Sequence, residues 1–196
     1  ERRATLQEPI ALLQSAIFTI GYRKKIEKKE VSTAEALSVA TRIQTLDAEK
    51  KQCVAERIAL SSELDRLKSW GDIDPSSLSD LESKGYEISF CEMPKAEYEL
   101  LDESIKTVRI DVTKSTVRFM LLKSNKEELD EAVTALNTYR LALPQLSTGE
   151  MKQRLSKLST RIDEIDETIV SNACYVESIK RAVGATEKEI EFETYA

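Results

Sequence analysis

The chain has 196 residues, a formal net charge of −6, 33% charged residues and no histidine. That length is enough for one or two domains with an apolar core. The missing histidine removes imidazole acid–base schemes and the commonest transition-metal ligand, and mild acidity without a dominant basic face argues against a nucleic-acid partner.

Five glycines and four prolines among many Ala, Leu, Glu, Lys and Ser point to long helices rather than sheet-rich architecture. No apolar run approaches the roughly 18 residues that a bilayer span needs. The opening ERRAT, without Met and inside a charged stretch, reads as the start of an excised fragment with no signal peptide. Cys53, Cys91 and Cys174 follow no metal-ligand spacing and read as reduced thiols of a cytosolic protein.

In chain order, Pro9 suits the first turn of a short helix bearing Ile10, Leu13, Ile17 and Ile20, which Gly21 can end. A charged connection, YRKKIEKKE, follows. Its Arg23, Lys24, Lys25, Lys28 and Lys29 are either a site for anionic lipid or an acidic partner, or a solvated loop in which the interspersed glutamates blunt the charge. Ser32 and Glu35 have capping-box spacing. From there Ala36, Val39, Ile43, Leu46, Lys50, Cys53, Arg57, Leu60, Leu64 and Leu67 alternate steps of three and four, a heptad stripe that keeps one side toward a partner helix. Roughly 37 residues at ~1.5 Å each give an arm of about 55 Å.

The stripe stops at SWGDIDP, where Trp70 reads as a plug at the end of the seam and Gly71 as a turn. Asp74 and Pro75 look like N-cap and first residue of a short helix ending at Gly85. YEISFCEM alternates as a strand, PKAEYELLDES reads as a short helix, and VRIDVT and VRFMLLK read as strands around a KST turn. Ser124 caps an amphipathic helix, NKEELDEAVTALNTYR, and LALP is the weak fourth strand of a β-α-β-β-α-β unit. Ser147 and Glu150 then form a second capping box. Behind it runs a second stripe: Met151, Leu155, Leu158, Ile162, Ile165, Ile169, Asn172, Val176, Ile179, Val183, Thr186 and Ile190.

The expectation is an α+β chain, a long antiparallel helical hairpin carrying a small βαββαβ-like lobe at its tip. Its parts are 1–31 (short helix and basic connection), 32–69 (outgoing helix), 70–146 (lobe) and 147–196 (returning helix). Setting Leu67 beside Met151 and Leu155 places Lys50 near Asn172 and Arg57 near the acidic run that starts at Asp163. These polar seam residues either fix register or reach out of a two-helix seam to water.

Chemistry is sparse. No glycine cluster cradles a phosphate, and no serine has a lysine three positions on. Asp163 with Asp166 and Glu164 with Glu167 read as a solvated helix face, and Cys91 as a packed small side chain. No catalytic, cofactor-binding or metal-binding residue is nominated, and no small-molecule substrate is expected.

Trp70-Gly71-Asp72-Ile73-Asp74 after a heptad helix, the strand end Met93-Pro94-Lys95, and KKEVSTAEA from Lys28 to Ala36 together resemble one family. It is the cytoplasmic N-terminal region of subunit I (subunit a) of A-type and V-type rotary ATPases. The resemblance implies a non-catalytic stator arm at the cytoplasmic face of the membrane, with a distal lobe that docks on peripheral-stalk subunits E and G. The rest of the complex and a membrane domain on the same parent chain would complete the proton or sodium path. The family's ion-path residues lie outside this chain, and no partner-contact residue carries over from the junction motif, which serves the fold. A generic coiled-coil tether is the rival reading, and an enzyme sited in the lobe is a third.

Overall fold

The computed structural model describes residues 2–21, 28–124 and 131–196. It divides into two compact units, Glu1–Ile58 with Ser156–Ala196, and Ala59–Leu155.

The first unit is built from helices. Helix α1 covers Arg2–Ile20 and α2 begins at Thr33, running to Leu67 in the second unit. Helix α6, Thr148–Ser171, enters the first unit at Ser156 and is followed by a 3-10 turn, Asn172–Tyr175, and by α7, Val176–Tyr195. Leu13, Ala16 and Ile20 of α1, Ala36, Ala40 and Ile43 of α2, Ile165 and Ile169 of α6, and Ile179 and Ala182 of α7 form one buried core. Helix α1 lies against α7. The small side chains of Ala16 and Ala182, both buried, allow a close approach.

Two expectations fail in this unit. The first helix starts at Arg2, so Pro9 lies inside it and not at its start. RRATLQE is rich in good helix formers, and half-buried Leu6 extends the Ile10–Leu13 stripe by one turn. Those gains outweigh the single hydrogen bond that a proline removes. The returning helix is interrupted at Asn172–Tyr175 where a continuous stripe was expected. Two side chains and a distant backbone amide take carbonyls around this turn. Asn172 Nδ2 donates to the Thr168 carbonyl (2.6 Å), Ser171 Oγ donates to the same oxygen (2.7 Å), and the Cys174 carbonyl accepts from the Lys29 amide at 2.9 Å. Such local bonds compete with the i→i−4 ladder.

The second unit is a sheet with helices on both faces. Helix α3 (Pro75–Ser83) precedes β1 (Tyr86–Pro94), and α4 (Lys95–Tyr98) leads through a loop to β2 (Thr107–Val112). Then follow β3 (Thr116–Ser124), α5 (Glu131–Ala135) and a 3-10 turn, Leu136–Tyr139. The sheet is antiparallel with order β1-β3-β2. One face carries Cys91, Met93, Val117, Phe119 and Leu121, packed with Leu136 and Tyr98. On the other, Phe90 joins Leu67, Trp70, Ile73 and Met151.

The expected fourth strand at LALP is absent. Next to the Cys91–Arg140 bridge, the Leu141 amide donates to the Phe90 carbonyl at 2.7 Å, and no strand forms beyond it. Buried Pro144 has no N–H with which to extend a ladder. Of the helix expected after Ser124, residues 125–130 lie outside the described residues, and Glu131–Ala135 is helical. The chain is thus α+β, mostly helical with a three-stranded antiparallel sheet.

Candidate interaction surfaces

The junction at Trp70 is assembled from local rules. Helix α2 passes into a 3-10 turn, Lys68–Trp70, and Gly71 then takes φ +77°, the left-handed region open to glycine. Asp74 Oδ1 accepts from the Ser76 amide at 2.9 Å and from Ser76 Oγ at 2.8 Å, capping α3 with Pro75 as its first residue. These bonds hold the Asp74 carboxyl below its usual pKa, the Ser76 hydroxyl first and its amide second. Trp70 is 5% exposed and meets Phe90 edge to face. Both capping boxes form as spaced. Ser32 Oγ accepts from the Glu35 amide at 3.2 Å, Ser147 Oγ accepts from the Glu150 amide at 3.1 Å, and each glutamate accepts in return from its serine's amide.

In the first unit the polar seam residues pair, but not in the expected register. Lys50 Nζ lies 2.5 Å from Asp166 Oδ1, six residues before Asn172, and Asn172 instead accepts from Arg42. The acidic run is therefore met by Lys50, where Arg57 was expected. Glu49 takes a two-pronged bond from Arg161 (2.6 and 2.8 Å), which lowers the Glu49 carboxyl pKa and raises that of Arg161. Two of the four acidic-pair residues are engaged in the same way: Asp166 by Lys50, and Glu164 by Arg161 at 3.3 Å. Nothing in the sequence pattern singled out Glu49 and Arg161. Both lie just outside the apolar stripes, and their pairing depends on the register.

Two further arrangements were not legible beforehand. Ser178, 3% exposed, accepts from the Val31 amide (3.1 Å) and donates to the Lys29 carbonyl (3.0 Å), tying the segment before α2 to α7. Arg181 adds a bond to Glu30 at 3.2 Å. Lys28 and Lys29 of the basic cluster are exposed, while Arg23, Lys24 and Lys25 lie outside the described residues. Cys53, Cys91 and Cys174 are free and buried, and burial pushes the Cys91 thiol pKa up.

On the sheet, directly opposed residues share a face. The Trp70 side therefore carries the rows Glu92–Arg118–Asp111, Phe90–Met120–Val108 and Ile88–Leu122, with Tyr86 beyond. Arg118 bridges Glu92 (3.4 Å) and Asp111 (2.7 Å). At the other end Tyr86 is 57%, Val108 43% and Leu122 40% exposed. The Leu122 amide bonds to the carbonyl of exposed Lys106 at 3.2 Å, which puts Lys106 in the Leu122 row.

Among the described residues no helix is long and apolar enough to cross a membrane. No protein-family model matches the chain. Over 180 residues, 92% of its length, it is 25% identical to V-type ATP synthase subunit I 1 of Treponema pallidum, and it spans 28% of that protein.

Proposed function

We propose that the chain is a cytoplasmic, non-catalytic stator arm belonging to subunit I of a V-type or A-type rotary ATPase. In this reading α2 and the returning helices zip into an antiparallel coiled-coil hairpin. Residues 70–146 form the distal lobe, which docks on the peripheral-stalk subunits E and G. The remainder of the parent chain supplies the membrane half and the proton or sodium path.

The observation that carries this reading is the similarity to subunit I across 92% of the chain. A match over 92% of the chain is too long to be confined to the two apolar stripes, so it is more than a coiled-coil likeness. The physical arrangement supports the same role. A stator resists torque, and the ion pairs Lys50–Asp166 and Glu49–Arg161 tie α2 to α6 beside their apolar contacts. A generic tether would use the same stripes but has no need of the Trp70–Gly71 junction.

Titration calorimetry of the chain with the E–G pair from the same organism tests the proposal. Binding that is weak with the isolated chain and stronger in the assembled complex is expected, because several modest contacts add through effective concentration. A folded chain that shows no heat of binding at high concentration overturns it. The adjoining C-terminal sequence gives a second test: several apolar spans are expected, and a soluble continuation favours the tether.

A further inference from the structure

We infer that residues 29–31 act as a strap that selects one of two seatings of α7 on the helical core. With the strap in place, Ser178 and Ala182 face the core. With it released, the Asn172–Tyr175 turn rewinds as α-helix, and Val176 and Val183 face inward instead. The device lies within the first unit and does not depend on the stator reading.

Sequence and structure put different side chains inward. The apolar stripe of α7 runs through Val176, Ile179, Val183, Thr186 and Ile190. In the structure Ser178 is 3% and Ala182 1% exposed, while Val176, Val183 and Ile190 are half-buried. At ~100° per residue, the buried side of α7 is turned from its apolar stripe by roughly 60°. Two valines stay partly in water while a serine and an alanine fill the core contact, the reverse of what apolar burial favours. The 3-10 turn produces this offset. Its residues step ~120° where an α-helix steps ~100°, so rewinding it turns α7 in one sense. That sense carries Val176 and Val183 toward the side where Ala182 now lies and takes Ser178 toward solvent.

The strap holds the present seating. The buried Ser178 hydroxyl accepts from the Val31 amide (3.1 Å) and donates to the Lys29 carbonyl (3.0 Å). The Lys29 amide takes the Cys174 carbonyl, inside the turn, at 2.9 Å. Arg181, itself exposed, reaches Glu30 at 3.2 Å and Ser178 Oγ at 3.4 Å. Once the strap leaves, the Ser178 hydroxyl loses both backbone partners while buried, a cost that turning to solvent removes. Polar satisfaction thus favours one seating and apolar burial the other, and the position of three residues decides between them.

The test uses the whole chain labelled at its alanine and valine methyls, with a soluble gadolinium chelate to report which methyls meet solvent. In wild type the Val183 methyls are expected to relax faster than that of Ala182. Val31→Pro deletes the amide that Ser178 accepts. In this variant the order is expected to reverse, with relaxation enhancement rising at Ala182 and falling at Val183. Arg181→Glu replaces the exposed contact to Glu30 by repulsion. It is expected to move both signals the same way by a smaller amount, and it decides the matter should Val31→Pro not fold by circular dichroism. A folded variant in which both methyls gain exposure, or neither changes, overturns the proposal, because the strap then stiffens its segment without choosing a seating.

Discussion

Trp70 and Phe90 meet edge to face, with ring centroids 5.7 Å apart and planes at 89°. This contact joins the turn after α2 to β1, which are 20 residues apart in sequence. Phe90→Ala is expected to cost about 3–5 kcal/mol through lost transfer energy and the cavity left behind. Trp70 is the only tryptophan. Its emission should shift to the red in the same variant, and urea melts followed by fluorescence check both effects.

Ser178 holds two backbone groups of the 29–31 segment with one hydroxyl. Ser178→Ala leaves the Val31 amide and the Lys29 carbonyl without it, at an expected cost of about 1–3 kcal/mol. Hydrogen exchange should accelerate at the Val31 amide well before it does in the core of α2. Equal acceleration throughout would mean a global loss of stability and no local latch.

Glu49 gives a pH signature. Arg161 lowers its carboxyl pKa in the folded chain below the ordinary value of about 4.5. The folded state then binds its proton less readily than the unfolded state, so the stabilisation is complete above that value. It is lost as pH falls through the depressed folded pKa. The melting temperature of wild type should exceed that of Glu49→Gln at pH 7, and the gap should close as the pH is taken down through 4.5 toward 2. A gap independent of pH refutes the linkage.

Thr148 has a buried Oγ1 with no hydrogen-bond partner among the described residues. Burying such a hydroxyl costs free energy that an apolar replacement of the same shape avoids. Thr148→Val is therefore expected to raise stability by about 1 kcal/mol, read as a higher denaturant midpoint with unchanged slope. Destabilisation by the same amount would show that the hydroxyl has a partner in solution.

The local signals were the most legible. Ser32 with Glu35, Ser147 with Glu150, and Asp74 with Pro75 each cap the helix their spacing implied, and Gly21, Gly71 and Gly85 all take positive φ. The strands at Tyr86, Thr107 and Thr116 followed from alternation and from the Thr113–Thr116 turn. What failed depended on distant partners. The Lys50 pairing was misplaced because a three-four repeat fixes which side of a helix is apolar but not how far one helix slides along another. Pro144 hid the loss of the fourth strand, since its effect depends on whether a ladder needs a donor at that point. Lys106, Leu122 and Val108 could not be grouped before the strand order was known, because they come from two strands whose register no single segment specifies.

The 3-10 turn at Asn172–Tyr175 reconciles an unbroken repeat with two different neighbours. Four residues wound at ~3.0 per turn in place of ~3.6 advance the helix azimuth by about 80° more than a regular helix would. The phase of the sequence pattern runs on through α6 and α7 while its direction in space swings round. Ile165 and Ile169 can thereby share a core with α2, and Ile179 and Ala182 with α1, without any slip in the three-four count. A residue added to or removed from this turn would re-aim every apolar position of α7 at once.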